Sequence, residues 1–111
     1  MWTKSKKKME SKMNWGELDR AVFDWAVSRN LINKNNIQGQ TMKVMEELGE
    51  LCRAINKNKK DDTIDSIGDV LVTIIILSYQ LGLNPEECLE EAYKTIKDRK
   101  GVTVNGVFVK E

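Results

Sequence analysis

Histidine is absent from this chain, and that one gap excludes a great deal. No imidazole base, no Ser-His-Asp triad and no histidine-ligated zinc can be built. Cysteine is almost as scarce. The two residues, Cys52 and Cys88, lie far apart and form no C-x-x-C pair, so a disulfide framework is excluded and a zinc-thiolate site is disfavoured. Both read as packing residues in a reducing compartment, which points to the cytoplasm. There is no G-x-x-x-x-G-K-[ST] loop, so a P-loop nucleotide site is out. Net charge is also nearly absent, at +1, and stable nucleic-acid binding driven by bulk charge is not expected.

What remains is a small, charge-rich chain. Its 111 residues fit one domain, and 41% hydrophobic residues are enough for folding. A domain this small buries limited apolar surface, so a second subunit would help it. Any polar chemistry must come mainly from carboxylates, Lys and Arg. Residues 1–12 carry Lys4, Lys6, Lys7, Lys8 and Lys12 with no apolar run behind them. They read as a basic flexible tail rather than a signal peptide, or else as a phosphate or partner contact. The domain proper is 13–111.

The remaining sequence reads as four helices and a hairpin. Asn14 and Glu17 make a capping-box start, followed by the stripe Leu18, Ala21, Val22, Trp25, Ala26. Residues 33–39 read as polar loop. A second helix is expected over 41–58, with Val44, Met45, Leu48, Leu51, Cys52 and Ile55 on its apolar face. A charged connection over 56–62 lacks the Gly and Glu of a calcium loop. The third helix is expected from 62 or 63 to 81. Its β-branched run at 70–77 could suit a buried strand, but the run over 64–81 has no Pro and no turn cluster and is too long for one. Asp65 and Asp69 also rule it out as a membrane span. Asp65, Ser66, Asp69, Thr73 and Gln80 form one polar lane on an otherwise apolar helix, which should therefore be central in the fold. Gly82 should stop it. Asn84-Pro85-Glu86-Glu87 is a strong start for a fourth helix with Leu89, Ala92, Tyr93 and Ile96 as its stripe, ended by Gly101. Asn105-Gly106 between short apolar arms predicts a hairpin over 102–109.

Two carboxylate clusters carry the chemistry. Glu46, Glu47 and Glu50 lie within one turn of the second helix, where like charges cost about 0.2–0.5 kcal/mol per pair. Asp65 and Asp69 lie one turn apart on the third, where an aspartate on a buried helix needs a partner. Two antiparallel helices offering carboxylates make an all-oxygen site suited to Mg²⁺ or Mn²⁺. The competing reading is two solvated acidic faces, or Asp69 bridged to Lys or Arg. Lys94, Lys97, Arg99 and Lys100 crowd the end of the fourth helix. They either complement its dipole or grip phosphates. Trp15 and Trp25 are candidates to stack on a base, although their helical setting also suits core packing.

These residues resemble the MazG-like all-α nucleoside triphosphate pyrophosphohydrolases. Glu46-Glu47-Leu48-Gly49-Glu50-Leu51 is similar to the family's E-E-x-x-E block. Ile67-Gly68-Asp69-Val70-Leu71 is similar to the G-D-V-L end of its E-x-x-D block. The resemblance runs from about residue 40 to 99, and the closing hairpin resembles the short phage-type members. It implies a four-helix-type bundle core with a short C-terminal β-hairpin, working as a homodimer or homotetramer. It implies Mg²⁺-dependent cleavage of a nucleoside triphosphate, often a deoxy or non-standard one, to monophosphate and pyrophosphate by water attack at the α-phosphorus. Carried over by position, Glu47, Glu50 and Asp69 are metal ligands, and Glu46 is a further ligand or orients the water. Lys97, Arg99, Lys94 and Trp15 are then substrate contacts. One position departs from the pattern: Ser66 stands where the first acid of E-x-x-D belongs. Asp65 is its neighbour, rotated by about 100° on a helix, and is the candidate to reach the ion in its place by a modest helix rotation or through a water. The alternative is a non-catalytic nucleotide- or protein-binding module of the same fold.

Overall fold

Asn14 opens the first helix as its sequence predicts. Its side-chain oxygen accepts from the Glu17 N–H at 2.8 Å, and Glu17 Oε1 accepts from the Asn14 N–H at 3.3 Å. The computed structural model describes residues 13–111, so the basic tail expected at 1–12 lies outside the described residues. Helices α1 (Trp15–Ser28), α2 (Ile37–Asn56), α3 (Lys60–Gln80) and α4 (Pro85–Ile96) are followed by strands β1 (Gly101–Val104) and β2 (Val107–Lys110). The protein is all-α with a short antiparallel hairpin. Among the described residues, no single helix is long and apolar enough to cross a membrane.

Three helices end alike. Asn30, Asn58 and Gly82 follow α1, α2 and α3 with φ of 60°, 53° and 76°. In each case the next residue's N–H reaches back five positions: Leu31 to Ala26, Lys59 to Ala54, Leu83 to Ser78. Glycine adopts this left-handed conformation freely and asparagine tolerates it.

The element bounds differ from expectation in three places. Helix α2 begins at Ile37, not near Thr41. A 3₁₀ turn at Lys34–Asn36, capped by the Asn33 side chain, feeds straight into it. Gly39 lies inside the helix, and the Asn36 side chain fills the space where a Cβ at position 39 would stand. The α2–α3 connection is only 57–59, since Asp61 and Asp62 already belong to the first turn of α3. Helix α4 ends at Ile96, before Gly101. Gly101 instead opens β1, where a side chain would meet the Val109 carbonyl and the Phe108 ring.

Helix α3 is central and packs against α1, α2 and α4. Its polar lane turns inward: Ser66, Thr73 and Gln80 are buried. Gln40 Nε2 donates to the Thr73 carbonyl at 3.1 Å, and Gln80 Nε2 donates to the Leu31 carbonyl at 2.9 Å. The apolar faces are treated in the opposite way. Met45, Leu48, Cys52 and Ile55 on α2 are exposed, as are Ile64, Ile67, Leu71 and Ile74 on α3 and Leu89, Tyr93 and Ile96 on α4. Periodicity marks an apolar face but does not say what covers it. The packing role read for the cysteines is not met within one chain, because both are exposed. The same holds for the core role weighed for the tryptophans: Trp15 and Trp25 are 44% and 48% exposed.

Candidate active site

The antiparallel α2–α3 pair forms two adjoining cavities that share Asp69 as a wall. The first, of about 280 Å³, opens near the 57–59 turn between Glu50, Arg53 and Lys57 on one side and Asp62, Asp65, Ser66 and Asp69 on the other. The second, of about 440 Å³, runs toward α1, with Trp25, Leu31, Gln40, Lys43, Glu47 and Ile76 among its walls. A one-residue step on a helix turns the side chain by about 100°, which is why the acidic triplet is split. Glu50 lines the first cavity, Glu47 the second, and Glu46 lines neither.

Glu47 is the most confined of these acids, with its side chain 10% exposed. Lys43 Nζ sits 3.2 Å from its Oε1 and 3.4 Å from Glu46 Oε1. Contact with Glu47 first, and with Glu46 second, holds the Lys43 ammonium above the usual lysine range. Glu47 Oε2 is buried and has no hydrogen-bond partner among the described residues. Such an oxygen is costly to leave unmatched. Burial, then the Asp65 and Glu47 carboxylates, push Asp69 above the usual carboxylate range, and Lys43 opposes the shift only in part.

This donor set fits a hard divalent cation in chemistry: it is all carboxylate oxygen, and it includes a buried oxygen with no partner among the described residues. As they stand, no three acidic or cysteine side chains among the described residues are grouped closely enough to hold an ion. Mutual repulsion works against such grouping.

Asp65 lines the same cavity as Glu50 and Asp69, and so does Ser66. Lys94, Lys97 and Arg99 line neither cavity. Lys94 instead pairs with Glu90 and Glu91 of its own helix, at 3.8 and 3.7 Å. Trp15 lines neither cavity, whereas Trp25 lines the second and carries the Arg29 guanidinium 5.5 Å from its ring centroid. Sequence reasoning missed Lys43, Gln40 and the cations Arg53, Lys57 and Lys59. Lys43 was readable as the i, i+4 partner of Glu47. Arg53 and Lys57, at i+3 and i+7 from Glu50, were readable as one helical face.

Two facing helices with carboxylates on the walls between them define a helical, acid-lined cleft. A sequence profile of the MazG nucleotide pyrophosphohydrolase domain matches residues 36–103, which covers α2, α3 and α4 and enters β1. The chain belongs to that family, whose members are hydrolase-type. It is also 45% identical over 64 residues to a Haemophilus phage HP1 protein described as an uncharacterized 18.2 kDa protein of the rep-hol intergenic region. That match takes in 58% of this chain but only 39% of the phage protein. No solved structure matches the chain significantly.

Proposed function

We propose that the protein is a metal-dependent pyrophosphohydrolase that cleaves a ribo- or deoxynucleoside triphosphate to the monophosphate and pyrophosphate by water attack at the α-phosphorus. The observation that carries this reading is the buried, unpartnered Glu47 Oε2 on a wall shared with Asp69. Family membership supports it.

Glu47, Glu50 and Asp69, with Asp65 beside them, would hold Mg²⁺ or Mn²⁺. When bound, such a cation neutralises phosphate charge and lowers the pKa of a coordinated water. The chain's own residues do the positioning. Lys43 pairs with one oxygen of Glu47, and the other is buried with no partner among the described residues. Gln40 ties α2 to α3 beside the same cavity. Trp25, Leu31 and Ile76 offer an apolar wall for a base. Glu46 faces outward and holds Lys43 from the far side, so it acts as a positioning residue. Positioning and charge neutralisation are most of what phosphoryl chemistry asks of a protein.

The working form in this proposal is a homodimer or homotetramer. The exposed stripes on α2 and α3 support it, because apolar surface of that extent favours association. The second reading, a non-catalytic nucleotide-binding module, is favoured by one observation: Ser66 occupies the cleft where the family pattern has an acid.

Pyrophosphate release from a panel of ribo- and deoxynucleoside triphosphates, with Mg²⁺, Mn²⁺ or EDTA, separates the two. Metal-dependent release of monophosphate and pyrophosphate that is abolished by Glu50→Gln is the expected result. No release with either metal would make the binding module the correct reading.

A further inference from the structure

The cavity at the α2–α3 turn has a feature that a cation site does not need. Its walls carry Arg53, Lys57 and Lys59 as well as Glu50, Asp62, Asp65 and Asp69. Among the described residues, none of these seven side chains forms an ion pair, although Glu50 and Arg53 are only three positions apart on one helix. Opposite charges face the same space without closing on each other.

The charges are also ordered. Glu50 and Arg53 on α2 and Lys57 at its C-cap follow one face at i, i+3 and i+7 and cover about 10 Å along the helix axis. On α3 Asp69, Asp65 and Asp62 approach the turn from the other side. Glu50, Asp65 and Asp69 therefore stand deeper along the groove, with Asp69 also on the wall of the second cavity, while Lys57 and Lys59, with Asp62 and then Arg53, stand toward the turn. A ligand laid along this groove would meet an apolar wall, then carboxylates, then basic groups.

Resting on the pyrophosphohydrolase reading above, we propose that Arg53, Lys57 and Lys59 form the subsite for the terminal β- and γ-phosphates, and hence for the leaving pyrophosphate. Guanidinium and ammonium groups suit phosphate oxygens, with Arg supplying a planar fork and Lys a point charge. Three cations against four carboxylates leave the cavity slightly acidic, so a polyphosphate is accepted together with its divalent cation rather than alone. The groove then sets direction: base toward Trp25, scissile bond beside Glu47, Glu50 and Asp69, leaving group at the turn. In this scheme Lys94, Lys97 and Arg99 are not needed to hold the terminal phosphates.

The test is calorimetric binding of pyrophosphate with Mg²⁺, and separately of nucleoside monophosphate with Mg²⁺, to the full chain and to Arg53→Gln, Lys57→Gln and the double variant. Steady-state turnover and inhibition by added pyrophosphate are followed in parallel. Loss of one charge-assisted contact should weaken pyrophosphate binding about tenfold for each cation removed. Monophosphate affinity should stay within about twofold, and Arg53→Lys should recover part of the loss. Unchanged pyrophosphate affinity in the double variant, or equal loss of both ligands, overturns the subsite. If the wild-type chain turns over triphosphate while that happens, the reaction stands and only the subsite falls. If the wild-type chain neither binds pyrophosphate nor turns over triphosphate, both fall.

Discussion

Tyr79 donates its phenolic hydrogen to the carboxylate of Asp19 at 2.8 Å, joining α3 to α1 through an acid that is only 4% exposed. Phe23 packs edge-on against the same ring at 4.6 Å. This contact holds α1, and with it the Trp25 wall of the second cavity, against the helix that carries Asp69.

Replacing Tyr79 with Phe should therefore destabilise the protein by about 1–3 kcal/mol, because a buried carboxylate loses a hydrogen bond. The effect should depend on pH. Burial first, and the Asp19 hydrogen bond second, push the Tyr79 phenol up to about 12. A phenol whose folded pKa lies above its unfolded value of about 10 stabilises the fold fully below pH 10 and loses that contribution as pH rises toward 12. Urea unfolding at about pH 9 and about pH 11.5 should show the gap between wild type and Tyr79→Phe narrowing at the higher pH. A constant gap would mean that the phenol does not titrate differently in the two states.

Ser66 gives a second prediction. Ser66 is buried in the wall of the first cavity, between Asp65 and Asp69 in sequence, and Glu50 lines the same cavity. Ser66→Glu should lower the Mg²⁺ concentration needed for half-maximal thermal stabilisation, since another carboxylate joins the donor set. Without metal the variant should be less stable by about 1–3 kcal/mol from crowding and repulsion. Ser66→Asp, which is smaller, should share the metal effect with less crowding. Melting curves against Mg²⁺ measure both, and an unchanged metal requirement in both variants would show that position 66 does not face the ion.

The exposed stripes lead to a third. Leu48 and Ile67 are 48% and 47% exposed and lie on the uncovered faces of α2 and α3. Charged residues placed there oppose apolar association. Leu48→Glu and Ile67→Glu should each shift the protein from oligomer to monomer in light scattering after gel filtration. Lys97→Glu, at the far end of α4, should leave the mass unchanged.

Asn58 offers a fourth, at the turn that brings Lys57 and Lys59 to the cleft. Its φ of 53° is left-handed. Asn58→Ala should cost about 1 kcal/mol in urea unfolding, whereas Asn58→Gly should be neutral or slightly stabilising. Equal effects would show that the side chain rather than the backbone conformation decides the position.

Where the sequence carried a strong local signal, it was legible. The Asn14 and Asn84 caps, the Gly82 stop and the Asn105-Gly106 turn all act within a few residues, and each is found in place. The start of α2 was not legible, because Gly39 and the polar residues before it read as loop, while the 3₁₀ turn at Lys34–Asn36 runs straight into the helix. The lane on α3 was read correctly as a lane, but its inward direction depends on Gln40 and Leu31, which are far away in sequence. The acids of the cleft were named, whereas Lys43, Arg53 and Lys57 were missed although their spacing from Glu47 and Glu50 placed them on the same helical faces. Lys97 and Arg99 look like a phosphate grip by composition, and only the path of α4 shows that they line neither cavity.

The three-residue connection between α2 and α3 has a kinetic consequence. Every side chain placed on the first cavity lies between Glu50 and Asp69, on two helices that are neighbours in sequence. No long loop has to close before these groups meet, and short-range contacts of this kind form early and quickly. The cleft should therefore assemble as one helical hairpin on the microsecond-to-millisecond scale, ahead of the docking of α1 through Asp19. Substitutions at the 57–59 turn should slow folding, while those at the Asp19–Tyr79 contact should mainly speed unfolding.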